Sequence, residues 1–336
     1  MSRTLRAMTR LRAGMTAGAR VAVAAGLTAY ILYKSDPRAV LTAAAGADWR
    51  PIALAIVLVL FDRALMAYRW VVLLCTVDPA KRPPLSGVMR IFFVSTFVGT
   101  FLPASVGGDA VRAHSVAKLG VAGGDAVASV FMDRMLGVAS ILVMALAGLV
   151  LARDLAGDWT IVLGLAFAGA ACLVTLLLIF NTHAAATASA VLAHLPEIAR
   201  QPGQRVLESV RRYARYHRQL LGVLACSVAV QVLRIVQAYS LGRGLGITAP
   251  LEDYFAFVPI ILLIMLLPVT FNGIGTSQVA FVAFFARAGV PRASAFALSV
   301  LFVALGVIGN LPGGILYASG RGGRRALAGE QPGAYR

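Results

Sequence analysis

Acidic side chains are scarce in this sequence. Only 14 Asp and Glu stand among 336 residues, against 31 Lys and Arg, and charged residues of both signs make up 13% of the chain. That is about half the share of an ordinary soluble domain, so a solvated globular surface is excluded. Cysteine is as thin. Cys75, Cys172 and Cys226 each fall inside an apolar stretch, at a spacing that suits neither a zinc site nor a disulfide framework. The four histidines, His114, His183, His194 and His217, are scattered, three of them in or near one basic segment. Paired carboxylates, a His-containing nucleophile relay and metal-ligand spacing are all missing. The sequence therefore offers no catalytic residue, no metal ligand and no cofactor, and the chain is read as a non-enzyme.

What is abundant is apolar. Hydrophobic residues make up 59% of the chain, and they come in blocks of the roughly 20 residues needed to cross a hydrocarbon core. The blocks run over 15–33, 51–76, 88–120, 125–151, 159–180, 219–242, 252–289 and 293–318. The excess of basic residues gives a net charge of +17. It sits in loops and at block ends, as the positive-inside rule expects, and it suits anionic lipid headgroups. No basic segment outside the blocks is interleaved with aromatics as a nucleic-acid surface would be, so nucleic acid is not a partner. The apolar run Val21–Leu32 of the first block, preceded by Arg3, Arg6, Arg10, Arg12 and Arg20, reads as an uncleaved span.

Charge also orients the blocks. Segment 181–218 holds Arg200, Arg205, Arg211, Arg212, Arg215 and Arg218 against Glu197 and Glu208, and the tail holds Arg321, Arg324 and Arg325. Both are read as cytoplasmic, with the N-terminus on the same side. Segment 197–218 reads as a helix lying on the inner leaflet. Counting crossings from these anchors leaves block 88–120 entering and leaving on the cytoplasmic face, and block 252–289 doing so on the outer face.

Each of these two blocks is broken, at Leu102-Pro103 through Gly107-Gly108-Asp109 and at Leu267-Pro268 through Asn272-Gly273-Ile274-Gly275. Each half is about 15 residues, or about 22 Å of helix, too short to span. The expected fold is therefore all-α: a polytopic helical membrane protein with about six full spans and two re-entrant helical hairpins, arranged as an inverted repeat. It forms a single domain over 1–320, with halves at about 15–180 and 219–318, the basic cytoplasmic loop 181–218 between them, and a cytoplasmic tail 321–336. Two kinked ordinary spans are the alternative at these breaks.

The breaks carry a resemblance. Leu102-Pro103, Gly107-Gly108-Asp109, Arg112 and Asp133-Arg134 in the first half, with Pro268, Gly273-Ile274-Gly275 and the small-residue span after Pro291 in the second, resemble the membrane domain of lysylphosphatidylglycerol synthases and its stand-alone flippase-like relatives. The resemblance implies a lipid flippase or lipid-linked transporter in a bacterial-type inner or plasma membrane. The chain ends at Arg336, so the soluble aminoacyltransferase domain of the bifunctional members is not expected. Relatives often carry an acidic residue shortly after the second Gly-x-Gly. Gln278 stands here instead, which weakens a proton-coupling role and leaves hydrogen bonding to a headgroup.

Charged side chains at mid-span cost about 2.5–3.5 kcal/mol each on insertion scales and are the functional candidates. Asp62 and Arg63 lie midway along the second block, and Asp133 and Arg134 lie within the fourth. Two reciprocal pairs, Asp62 with Arg134 and Asp133 with Arg63, would neutralise all four as an interhelical clamp. The functional alternative leaves an arginine for a lipid phosphate. Arg234 shares a helix face with Gln231 and has no acidic residue in its own block. Arg69, between Tyr68 and Trp70, is expected to snorkel to the interface.

At the first break, Gly107 and Gly108 free the backbone to approach a ligand, Arg112 follows one turn later, and Asp109 suits an N-cap. Asn272, Gly273 and Gly275 offer the same at the second break, and half-helices meeting from opposite sides would share one anion site. The candidate substrate-binding set is thus Gly107, Gly108, Asp109, Arg112, Arg63, Asp133, Arg134, Arg234, Asn272, Gly273, Gly275 and Gln278. The expected partners are an anionic phospholipid or polyprenyl-phosphate-type lipid and the bilayer itself, with a second copy or an envelope-lipid biosynthesis enzyme as protein partner. Two other readings stay open: a non-catalytic accessory subunit of such a pathway, for which the small-residue span 293–318 would supply packing, and an intramembrane lipid-modifying enzyme.

Overall fold

The computed structural model describes residues 29–30, 33, 37–77, 83–101, 105–151, 159–194, 196–266 and 273–319. Regular structure among them is helical throughout. In chain order the helices are α1 (Pro37–Ala45), α2 (Trp49–Val77), α3 (Leu85–Phe101), α4 (Ser105–Ala117), α5 (Gly123–Leu151), α6 (Trp159–Phe180), α7 (Thr182–Ala193) and α8 (Glu197–Arg212). A 3-10 turn Tyr213–Tyr216 leads into α9 (His217–Gly244), then α10 (Leu251–Met265), α11 (Thr276–Arg287) and α12 (Arg292–Ser319). Most of the first apolar block, the tail beyond 319, Pro103, Pro268 and Asn272 lie outside the described residues.

The apolar blocks became helices nearly residue for residue, because in a hydrocarbon medium each backbone N–H and C=O must be satisfied within its own segment. Helices α2 and α5 are 29 residues each, about 44 Å of helix against a core of roughly 30 Å. Four helices among the described residues are long and apolar enough to cross a membrane, and a fifth candidate is the bent pair Leu165–Phe180 and Thr182–Ala193. The chain is a multi-pass membrane protein. The two broken blocks each form a packed pair of shorter helices, α3 on α4 and α10 on α11.

Two segments outside the apolar blocks are helical. Segment 34–50 contains α1. Segment 181–218, expected as a basic loop with a helix over 197–218, holds two packed helices, α7 and α8, followed by the 3-10 turn; α8 falls within the expected helix, and α7 was not expected. The chain bends by 98° between Phe180 and Thr182. Asn181 makes that bend workable: its side-chain oxygen accepts from the backbone N–H groups of His183 (2.9 Å) and Ala184 (3.1 Å), satisfying donors that a new helix start leaves open. Asn181→Ala is expected to weaken the start of α7 by roughly 1 kcal/mol. The check is amide hydrogen exchange at His183 and Ala184, which should quicken while exchange within α6 stays unchanged.

The chain divides into two compact units. The first comprises 1–62, 135–174 and 224–308, and the second 63–134, 175–223 and 309–336. The first has a core of Ile235, Tyr254, Phe257, Phe281, Phe285 and their neighbours, with Tyr254 and Phe281 each in edge or stacked contact with Phe285. The second is built on Trp70, Phe92, Val88, Val116 and Ala126.

In the second unit, glycines let the helices approach closely. A Cβ on Gly108 would stand 2.9 Å from the Ser95 carbonyl oxygen and 3.0 Å from the Cα of Gly99, so α3 and α4 meet backbone to backbone. Gly313 and Gly314 of α12 rest on Phe93 and Phe97 of α3. Two hydrogen bonds reinforce that seam: Asn310 Nδ2 donates to Thr100 Oγ1 at 2.9 Å, and Arg90 donates to the Leu316 carbonyl at 3.3 Å. Helix α8 packs its Ser209 and Val210 inward while Arg205, Glu208, Arg211 and Arg212 stay exposed. Arg212 ion-pairs with Asp125 at the start of α5, and Tyr213 donates its hydroxyl to the Leu73 carbonyl at 3.0 Å.

Candidate functional site

Five charged side chains of the second unit, Arg69, Asp109, Arg112, Asp133 and Arg134, come together among α2, α4 and α5. Asp133 is the centre. Its Oδ1 accepts from Arg69 Nε at 2.8 Å and lies 2.7 Å from Arg69 Nη2, while its Oδ2 accepts from Arg112 Nη1 at 3.3 Å. All three side chains are buried.

Arg112 is held on every side. Its Nε and Nη2 reach the hydroxyls of Ser95 and Thr96, both at 3.4 Å, and its guanidinium lies 4.5 Å from the Phe92 ring centroid and 5.2 Å from that of Trp70. Aromatic faces attract a desolvated cation in this geometry. The Trp70 indole N–H donates to Ser129 Oγ at 3.3 Å. Ser129 lies one helical turn before Asp133, which fixes the face of α5 that receives both.

Beside this trio, Arg134 grips Asp109 with two parallel bonds, Nε to Oδ2 at 2.7 Å and Nη2 to Oδ1 at 3.0 Å, the fork geometry that favours arginine over lysine. The pair is unlike the trio in one respect: the Arg134 side chain is 47% exposed, although it lies well inside an apolar 29-residue helix. The five side chains Arg69, Arg112, Arg134, Asp109 and Asp133 thus set three guanidinium groups against two carboxylates.

These contacts correct the pairing expected from sequence. Asp133 takes Arg69 and Arg112, not Arg63, and Arg134 takes Asp109, not Asp62. Asp62 instead faces Arg234 at 3.7 Å, both within the first unit. Arg69 does not snorkel; it is one of the most buried charges in the chain.

The physical reason is depth. At 1.5 Å per residue, Arg69 stands about 12 Å from the Val77 end of α2 and Asp133 about 15 Å from the Gly123 end of α5. Arg63 stands about 21 Å up α2, one turn too far. Asp62, about 22 Å up α2, and Arg234, about 26 Å from the His217 end of α9, match in the same way. Arg63 itself lies beside Met66, with Nη1 3.3 Å from the sulfur.

Asp109 is not an N-cap, since α4 begins at Ser105 and Asp109 sits inside it. Gly108 is occupied by the crossing with Gly99 rather than open to a ligand, and Gly107 is half-buried in the first turn of α4.

The first unit gathers the remaining candidates without a comparable cluster. Gly273 and Gly275 have φ of 75° and 91°, the left-handed region that glycine adopts freely. They turn the chain into α11. Gln278 is buried, and its Oε1 accepts from the Gly275 N–H at 2.5 Å and from the Ser277 hydroxyl at 3.0 Å. It caps the start of its own helix, a role sequence reasoning had not assigned. Gln231 donates to Ser140 Oγ at 3.0 Å on the α9 face that also carries Arg234.

Sequence reasoning passed over Ser95, Thr96, Trp70 and Arg69 as parts of the site. The signal that finds Arg69 is its depth along α2. The hydroxyls had none, because Ser and Thr are ordinary in membrane helices.

Against this geometry, the family model for the lysylphosphatidylglycerol synthase TM region matches residues 19–313. No curated protein matches the chain.

Proposed function

The chain belongs to the lysylphosphatidylglycerol synthase TM-region family, and from that premise we propose that it moves an anionic phospholipid or polyprenyl-phosphate-type lipid between the leaflets of a bacterial-type inner or plasma membrane. The observation that carries the reading is the half-exposed Arg134–Asp109 fork beside the buried Arg69–Asp133–Arg112 trio.

An arginine facing hydrocarbon at that depth costs about 2.5–3.5 kcal/mol or more. Its open side therefore faces a polar, water-accessible space. A lipid phosphate entering that space presents the same planar acceptors as Asp109 and exchanges with it on the guanidinium. The single positive charge left over in the five-residue cluster favours an anion there, and the trio, fixed by hydroxyls and aromatic faces, keeps that charge in place without reorganisation.

The α3–α4 and α10–α11 pairs are read as two re-entrant hairpins, entering from the cytoplasm and from outside, within an inverted repeat of about six full spans. In support, the α3–α4 pair shares its unit with the arginine-rich α8 and the end of α12. The reading assigns no bond-making chemistry, because both carboxylates at the site are engaged by guanidinium groups. An accessory role is less favoured, since Gly313 and Gly314 of α12 are already covered by α3.

The test is reconstitution into vesicles with a fluorescent phosphatidylglycerol analogue and an impermeant quencher. Arg134→Gln is expected to slow exposure of the analogue about tenfold, equivalent to losing one charge-assisted hydrogen-bonded contact. Equal rates for Arg134→Gln and the parent protein would sink the reading.

A further inference from the structure

The second unit contains a cavity of about 550 Å³ that the cluster does not use, walled by Val72, Cys75 and Thr76 from the last turns of α2, by Leu85 of α3, by Tyr216 of the 3-10 turn and by Gln219 in the first turn of α9. The volume falls within the roughly 300–1,000 Å³ of sites that enclose a small ligand. The wall is methyl, thiol and ring. The Thr76 hydroxyl donates to the Val72 carbonyl at 2.6 Å, which leaves the Gln219 amide and the Tyr216 hydroxyl as the polar side-chain groups of the lining. An occupant must therefore be apolar along most of its length.

The adjoining chain has the opposite character. Arg215 directly precedes the lining residue Tyr216 and Arg218 directly precedes the lining residue Gln219; both arginines are exposed. Tyr213, bonded to the Leu73 carbonyl, pins this basic stretch to α2. An apolar slot bordered in sequence by two exposed arginines fits one class of ligand, a chain with an anionic head.

We propose that this cavity is a binding site for an anionic phospholipid, holding an acyl chain against Val72, Cys75 and Tyr216 and its phosphate at Arg215 and Arg218. The site shares no residue with the Arg134 cluster, and the proposal stands whether or not the protein moves lipid.

The test uses the full chain in vesicles of mixed phosphatidylcholine and phosphatidylglycerol, with a photoactivatable diazirine near the end of one acyl chain of either lipid. The phosphatidylglycerol probe should label segments 71–76 and 216–219 about fivefold more than the phosphatidylcholine probe, the preference that one basic side chain at an anionic surface provides. The double variant Arg215→Gln/Arg218→Gln should remove the preference while keeping the labelling. Val72→Trp, which fills the slot, should suppress labelling by both probes about tenfold. As a readout that does not depend on the tryptophan variant folding, alkylation of Cys75 in a Cys172→Ala/Cys226→Ala background should slow as the phosphatidylglycerol fraction rises. Labelling of these segments no stronger than at the exposed Phe167 and Leu173 of α6, equal labelling by the two probes, or a Cys75 rate indifferent to lipid composition would each overturn the proposal.

Discussion

Replacing Asp133 by alanine should unfold or severely loosen the second unit. The carboxylate is the shared partner of two guanidinium groups, at 2.7 Å and 3.3 Å, and all three side chains are nearly inaccessible. Its removal leaves Arg69 and Arg112 buried without the carboxylate they share. Breaking a buried pair from one side costs about 3–5 kcal/mol, because the stranded ion keeps its desolvation penalty and loses its compensation; here two ions are stranded. The thermal midpoint of purified protein should fall on the order of 10 °C. Asp133→Asn, which keeps the shape and removes the charge, should do nearly the same, and that result separates electrostatics from packing.

The informative companion is the apolar triple replacement Arg69→Met/Asp133→Leu/Arg112→Met. Buried ion clusters replaced whole by apolar groups are often neutral for stability. This variant should therefore recover most of the midpoint. If the trio also sets the local positive charge as proposed, the recovered protein should still move anionic lipid poorly. A midpoint for Asp133→Ala within about 2 °C of the parent protein would mean the trio does not stabilise the unit.

The second large effect is expected at Gly313. A Cβ there would lie 2.0 Å from the Phe93 carbonyl oxygen and 2.6 Å from its carbonyl carbon, so even alanine forces two helix backbones apart. The neighbouring Gly314 would meet the Phe97 ring at 2.8 Å, and a ring can turn aside. Gly313→Ala should therefore cost about 3 kcal/mol, at the upper end for overpacking, and Gly314→Ala clearly less. Separation of α12 from α3 would also remove the Asn310–Thr100 and Arg90–Leu316 hydrogen bonds. The comparison is read from the thermal midpoints and monodisperse yields of the two variants side by side. Equal behaviour of the two alanine variants would show that the seam is looser than these distances imply.

Much of the helix inventory was legible in the sequence. Block 159–180 matches α6 at both ends, and block 293–318 differs from α12 by one residue at each. Hydropathy dictates this directly, since an apolar stretch of spanning length has no other way to satisfy its backbone in lipid. The two broken blocks were legible for a related reason: proline and glycine remove the donors and restraints a continuous helix needs, and the chain folds back as α3 on α4 and α10 on α11.

Site membership was legible in part. Mid-span charge singled out Asp133 and Arg134, because each is costly there unless something engages it, and the first Gly-rich break singled out Asp109 and Arg112. Ser95, Thr96 and Trp70 carried no such mark, and Arg69 was set aside because its aromatic neighbours suit an interface as well as a core.

The sequence by itself determined which segments become helices, where two of them break, and which charges must find partners in an apolar medium. Those properties depend on local composition and on the cost of exposing a polar group to lipid. Only the tertiary structure decided who pairs with whom. Asp133 meets Arg69 and Arg112, and Arg134 meets Asp109. Each of these outcomes depends on the depth and rotation of one helix against another. A slide of one turn, about 5.4 Å, exchanges every partner while leaving the composition of each helix unchanged.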